Sequence, residues 1–283
     1  MPARTTRSHP AAAPPPNLAA GPFFSTPGQR VALARERYFS EGVRPTGLVP
    51  ESVIQSWARC LGQRREPGEH IAFDPVTNTR IATAHARNRQ LLDSAAQDLS
   101  QLNAALAGTA CRAILTSHDG VVVYATPVAP GEGRLMPIVT RVGVDLCEGA
   151  AGTSAPALAS CTGEVCVVHG AEHFFSEVSA MYCAAAPIRD ARGDIAAVLD
   201  LSSEGEMFRF DAASMVSLYA TGIENRLLEA QSRQHVLLRF QASPAMLRTP
   251  LEGLAAVSGD GRVVWINASG ASLLGCDRAL RGD

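Results

Sequence analysis

Lysine is missing from this sequence altogether: every one of its 25 basic residues is arginine. With no lysine there is no Schiff-base amine and no phosphate-binding loop of the Gly-Lys-Ser/Thr kind, so neither chemistry can reside in these residues. Long hydrophobic runs are missing too, and nothing approaches the roughly 20 apolar residues of a membrane span. The N-terminal stretch MPARTTRSHPAAAPPPNLAAGPFF carries two arginines but no continuous apolar run before its prolines, so it lacks the middle region of a secretory signal. It reads as a disordered Ala/Pro-rich tail, residues 1–30, on a cytoplasmic protein. An excess of positive charge is also lacking. The formal net charge of −2 gives no broad basic surface, which argues against nucleic-acid binding as the main activity of these residues. Closely spaced cysteine pairs are absent: the seven cysteines are odd in number and scattered, which is the pattern of reduced, mostly buried thiols.

What is present is the composition of a globular protein, 46% hydrophobic and 18% charged, over 283 residues. That length has room for one or two domains. Residues 31–84 read as a helical segment. In it, 29–42 and 50–64 are short helices, the second carrying Val53, Ile54, Trp57 and Leu61 at helical spacing. Next, IATAHARNRQLLDSAAQDLSQLNAALAG predicts one long amphipathic helix with a Leu91, Ala95, Leu99, Leu102, Leu106 stripe and Gly108 as its stop.

The period then changes to two. Residues 111–126 form a hairpin around Asp119-Gly120, and 183–203 a second one with Gly193 at the tip. Between them lie a short helix capped by Thr153 or Ser154 and the strand-like EVCVVHG. An exit helix is expected over 210–241, its stripe running through Met215, Leu218, Gly222, Ile223 and Leu227 towards Leu237; this stripe and that of the entry helix exceed what one face of a small sheet needs, so both helices are expected to pack across the two-fold axis of a homodimer. The order helix, antiparallel sheet, helix is an α+β sensor-like module. A third hairpin at 253–275 opens a further domain, expected over 242–283.

Three sharp motifs compete for the chemistry. His169-Gly-Ala-Glu172-His173 has zinc-peptidase spacing, but that site needs a helix to bring both histidines to one face. Here the first histidine follows a β-branched strand. Cys161, Cys166, His169 and His173 could be grouped as metal ligands, although the spacing is not that of a zinc knuckle. Cys183 could be a nucleophile with His173 as its base. The run CAAAPI suits two arrangements. Its alanines leave space above a sheet for a small-molecule cavity lidded by Phe174, Phe175, Met181 and Tyr182, or they admit a closely packed helix.

The segments GVDLCEGAAGTSAPALAS (143–160), VHGAEHFF (168–175) and CAAAPIRDARGDIAAVLDLSS (183–203) together resemble the GAF sensor domain of acetoin-regulator-like, sigma-54-dependent transcriptional activators. VIQSWARC (53–60) resembles the helix preceding that domain in the family, and 253–275 resembles the opening of a PAS domain. The resemblance implies a GAF-like antiparallel sheet flanked by helices over 85–241, and a truncated PAS-like domain at 242–283. It implies a cytosolic homodimer with no cofactor and no enzymatic activity, sensing a small effector such as an alcohol, ketone or diol. Glu148, Thr153, His173, Phe174, Phe175, Met181, Cys183 and Ala185 are the expected effector-binding residues. The family's ATPase and DNA-binding parts have no counterpart here, which reads as an excised sensor fragment or a truncated gene product. Gly-Thr-Ser-Ala-Pro stands where many relatives carry Gly-Thr-Asn, so effector identity does not transfer. The alternative is a zinc- or thiol-dependent enzyme using His169, Glu172 and His173 or Cys183; a third reading is a redox or metal sensor built on the cysteines.

Overall fold

The computed structural model describes residues 26–73, 75–129 and 131–276. The expected tail lies outside the described residues up to 25. From Pro27 the chain is already helical: Thr26 accepts a hydrogen bond from the Gln29 amide, and α1 runs Pro27–Arg35 into a π-helical turn at Glu36–Ser40. Helix α2 (Glu51–Gly62) follows, burying Val53, Ile54, Trp57 and Cys60 on one face.

The long helix expected after it is two helices, α3 (Asn78–Arg87) and α4 (Arg89–Ala105). Asn88 breaks them apart. Its side-chain amide donates to the Ala84 carbonyl at 2.9 Å, capping α3 in a backbone conformation that a straight helix does not allow. The stripe itself stands: Leu91, Ala95, Leu99, Leu102 and Leu106 are all buried.

Strands β1 (Arg112–Ser117) and β2 (Val122–Ala125) form the first hairpin. Two single-turn helices, α5 (Met136–Val139) and α6 (Glu148–Ala151), lead to α7 (Ala155–Thr162), whose cap is Ser154. Strand β3 (Cys166–His169) then precedes the hairpin of β4 (Met181–Arg189) and β5 (Ile195–Glu204). The five strands form one antiparallel sheet in the order β2-β1-β5-β4-β3.

Alternation along the strands separates two cores. Ala184, Ala186 and Ile188 of β4 and Leu199 and Leu201 of β5 face a core shared with α4 and with α8 (Ala212–Gln231). Met181, Cys183 and Ala185 of β4 face the other core, which also holds residues of α1, α2 and α7. The N-terminal helices therefore share one continuous apolar cluster with the sheet. The seven cysteines are all free thiols.

Helix α8 does not extend to residue 241. It ends at Gln231, and VLLRF becomes β6 (Val236–Phe240), paired antiparallel with β7 (Gly253–Val257), which pairs in turn with β8 (Val263–Ile266). Short apolar runs carry no period that separates strand from helix, and here pairing with β7 decides. Helix α9 (Ala268–Leu274) packs on this second sheet. The small sheet is docked on the end of α8: Leu228 packs with Leu254, Ala256 and Trp265, and the Trp265 indole N–H donates to Ser232 at 2.8 Å.

The leucine stripes of α4 and α8 were expected to exceed what one sheet face needs and so to form a dimer seam. That placement is corrected. Leu91, Leu99, Leu102, Leu106, Ile223 and Leu227 are all buried within the single chain, against the sheet and each other; Met215 is partly buried against the same core, and Leu218 is exposed. A cavity at Leu227 should therefore damage the monomer's own core. Leu227→Ala is expected to lower unfolding free energy by about 2–5 kcal/mol in urea denaturation; a loss below about 1 kcal/mol would place this side chain outside the core.

Candidate functional site

Where α5, α6 and the start of α7 cover it, the second face of the sheet is not fully filled. A cavity remains there with room of about 40 Å³ for the centres of water-sized molecules, enough for about three waters. Its apolar wall comes from scattered segments: Phe73, Ile114, Val139, Leu146, Ala151 and Val178. Its floor is Met181 and Cys183 of β4 with Ser202 of β5, and His173 and Ser154 supply further polar groups.

His173 is held from both sides. Gly170–Glu172 forms a 3₁₀ turn, and the His173 Nδ1 lies 2.9 Å from the Gly170 carbonyl oxygen. A carbonyl oxygen only accepts, so Nδ1 carries the proton and donates. Nε2 is then a bare acceptor, fully buried and without a partner among the described residues. Burial pushes the imidazole down to about 4, so the ring is neutral near neutral pH.

The loop carrying His173 is clamped by the N-terminal helices. Arg35 donates to the carbonyls of Ala171 (3.0 Å), His173 (2.7 Å) and Phe174 (3.1 Å), and the Trp57 indole donates to the Glu172 carbonyl at 2.9 Å. The Arg35 guanidinium also lies over the Phe39 ring, 4.8 Å from its centroid.

The other sequence-predicted residues divide. Met181 and Cys183 line the cavity with His173. Phe174 and Phe175 do not: both are fully buried in the core, edge to face with one another at 5.0 Å, so the expected aromatic lid is packing. Phe175 also closes over Gly152, whose φ of +68° and ring contact leave no room for a Cβ. Glu148 and Thr153 face α2 instead of the cavity. Glu148 takes a bidentate pair from Arg59 at 2.6 and 2.7 Å, and Ser56 bridges Glu148 and Thr153. They hold the wall that presents Ala151 and Ser154. Ala185 is buried on the same sheet face but outside the cavity lining, in the core with α7. The alanine run thus serves close packing at Ala185, while the cavity opens at the neighbouring end of β4.

The zinc reading of His169, Glu172 and His173 is not met by this geometry. The segment is a strand end and a 3₁₀ turn, and the Glu172 carboxylate turns back to accept from the His169 backbone N–H at 2.8 Å. Among the described residues no group of three or more His, Cys, Asp or Glu is placed to hold a metal ion. Cys183 has Ser202 as its partner at 3.2 Å, and burial raises its thiol well above the usual range, the opposite of an activated nucleophile.

Sequence reasoning passed over Asp200. It is fully buried on the cavity face of β5, accepts from the Ser202 hydroxyl at 2.6 Å, and leaves Oδ1 unpartnered. The signal was available in VLDLSS: Asp200 and Ser202 alternate with Leu199 and Leu201, which puts polar groups on a face that must be buried. Burial pushes the Asp200 carboxyl up to about 7. Because the folded pKa exceeds the unfolded value, this group's contribution is fully present below about pH 4 and is lost as pH rises towards about 7. Asp200→Asn should therefore stabilise the chain more at about pH 8 than at about pH 5, the difference reaching about 3 kcal/mol. Thermal denaturation at both pH values checks this; equal gains would show that Asp200 is ionised throughout.

Residues 26–215 match the family described as the MimR N-terminal domain. The acetoin catabolism regulatory protein of Cupriavidus necator is 29% identical over 226 residues, 78% of this chain and 34% of that protein. The propane 2-monooxygenase operon transcriptional activator MimR of Mycolicibacterium goodii is 28% identical over 234 residues, 80% of this chain and 38% of that one. The chain thus spans little more than a third of the length of these relatives. Among solved structures, E. coli DhaR(N), in its complex with DhaL, superposes with a TM-score of 0.60 at 16% identity, covering 82% of this chain and 78% of that one, which establishes the shared fold. The resemblance read from the motifs is borne out: with its five-stranded sheet and N-terminal helices, this chain belongs to the MimR N-terminal domain family, the sensor region of acetoin-regulator-type transcriptional activators.

Proposed function

We propose that this chain senses a small organic effector for a bacterial sigma-54-dependent activator, with the cavity on β4 and β5 as its GAF-like binding site. The observation that carries this reading is an apolar cavity on the β4–β5 face, lined by Met181, Cys183, His173 and Ser154 among others, as small-molecule sites are. The names of the relatives, regulators of acetoin and propane catabolism, support a ligand of few carbon atoms. A pocket this small also fits one.

The signal has a physical route in this reading. Ligand contacts strain or relax the β4–β5 floor, and α8 lies on the opposite face of the same strands. Helix α8 belongs to two packing units at once, with Leu227 in the sheet core and Leu228 in the core of the C-terminal sheet. Asn225 reinforces the second contact by bonding to Asn267 and the Pro250 carbonyl. A shift of α8 would carry cavity occupancy to the PAS-like segment, and from there to output domains in the full-length protein. A homodimer remains part of this reading, formed through surfaces other than the buried leucine stripes.

An enzyme built on the same residues is disfavoured by the turned-back Glu172 and the Ser202-bonded Cys183. The E. coli DhaR region is complexed with a protein; for this chain the apolar cavity favours a small molecule.

A thermal-shift screen of short alcohols, ketones and diols tests the proposal. A true ligand at about 100 times its dissociation constant should add about 2.7 kcal/mol of stability. The blocking substitution belongs at Ala151, which lines the cavity, rather than at Ala185. Ala151→Leu is expected to abolish the ligand-dependent shift while costing about 1–3 kcal/mol of basal stability through overpacking. An unchanged shift in that variant would move the binding site elsewhere.

A further inference from the structure

Eleven of the twelve described residues that line the cavity are buried, and Phe73 alone is partly exposed. Its side chain packs against the same apolar core as Met181, Cys183, Val139 and Val178. Phe73 therefore stands where the cavity meets water. It lies in the connection between α2 and α3, in which residues 65–73 form neither helix nor strand. The backbone is nevertheless held on both sides of it. Ahead of Phe73, the Ser176 amide donates to the Pro67 carbonyl at 2.8 Å, and the Glu177 carboxylate accepts from the Ile71 amide at 3.0 Å and lies 2.9 Å from His70 Nδ1. Ile71 itself is buried. Beyond Phe73, Val76 closes on Gly143 so tightly that a Cβ there would lie 2.8 Å from it. With the chain pinned at both ends, the part left to move at Phe73 is the side chain.

On the basis of the sensor reading above, we propose that the Phe73 side chain is the gate of the cavity: the ring covers the passage to water, and a small molecule enters or leaves when it swings outward. Phe174 and Phe175 do not serve in this way, because both are fully buried and packed on each other. Outward rotation of Phe73 moves apolar surface into water, so the closed form is favoured and the open form is a minor population of about 0.1–10%. Opening of this kind fills a buried site without unfolding the core around it.

Cys183, buried on the cavity floor, reports the opening without any effector being known. The 283-residue chain is treated with methyl methanethiosulfonate, which transfers its methylthio group to a thiolate and releases methanesulfinate. Peptide mass spectrometry follows Cys183 beside Cys60 and Cys111, buried thiols that do not line the cavity. In the unaltered chain, low concentrations of urea should leave the Cys183 rate nearly flat and raise the other two steeply, because those need the core to unfold. Phe73→Ala, which leaves the passage uncovered, is expected to speed modification of Cys183 by about tenfold to a thousandfold with the Cys60 and Cys111 rates unchanged. Phe73→Trp, which keeps it covered, should not speed Cys183. A Cys183 rate that climbs with urea in step with the other thiols shows that only unfolding opens the cavity and overturns the gate, even if the alanine variant fails to fold. In the folded variant, no acceleration at Cys183, or one shared by all three thiols, overturns the assignment to Phe73. These outcomes leave the sensor reading in place, since it stands or falls with the thermal-shift screen and the Ala151→Leu variant.

Discussion

Strand β4, between β5 and β3 in the sheet, offers little side-chain volume, and the helices on its two faces are arranged around that limit. MYCAAAPIR places three alanines in succession in the middle of a five-stranded sheet, so each face of the strand offers little side-chain volume. On one face the deficit is met by α8, which lies close enough on β4 and α4 that Gly222 is all that fits beside Asp98. On the other, α7 packs in the core that holds Ala185, and Pro156 near its start lines the cavity with Met181 and Cys183. The segments around the cavity are held by hydrogen bonds from the N-terminal helices.

Those contacts explain why the N-terminal helices belong with the sheet. Arg35 and Trp57 bind backbone carbonyls of the 171–174 loop, and the Arg59–Glu148 pair ties α2 to α6, just ahead of α7. The loop has little secondary structure of its own to satisfy its carbonyls, so donors from elsewhere must do so. Holding the loop holds His173. The residues that line the cavity and those that fix it in place are different sets, drawn from different parts of the chain.

The electrostatics of the sheet face follow from the same burial. In a low-dielectric interior an ionised or unpaired group is costly, and Asp200 and His173 respond in opposite directions, the acid towards its protonated form and the base towards its neutral one. Near neutral pH the imidazole is uncharged and the carboxyl only partly ionised. The Ser202 hydroxyl donates to that buried carboxyl, and the Cys183 thiol contacts Ser202.

The sequence by itself determined the period-two hairpins at 111–126 and 183–203, the α4 stripe, a cap for α7 at Thr153 or Ser154, and the family, because each rests on local pattern: alternation, helical spacing, a turn dipeptide or an ordered set of motifs. It also placed Met181, Cys183 and His173 near one another. It misjudged whatever depended on a distant partner. Whether VLLRF continued a helix or became a strand was decided by the edge of β7. Whether the leucine stripes met a second copy or their own sheet was decided by how much of the sheet face was left to cover. Glu148 and Thr153 lie close to the cavity in sequence yet turn towards α2, because Arg59 and Ser56 satisfy them there. Only the tertiary structure could assign the histidine tautomer and show its second nitrogen unmade, since that depends on a carbonyl three residues back and on burial by segments far along the chain.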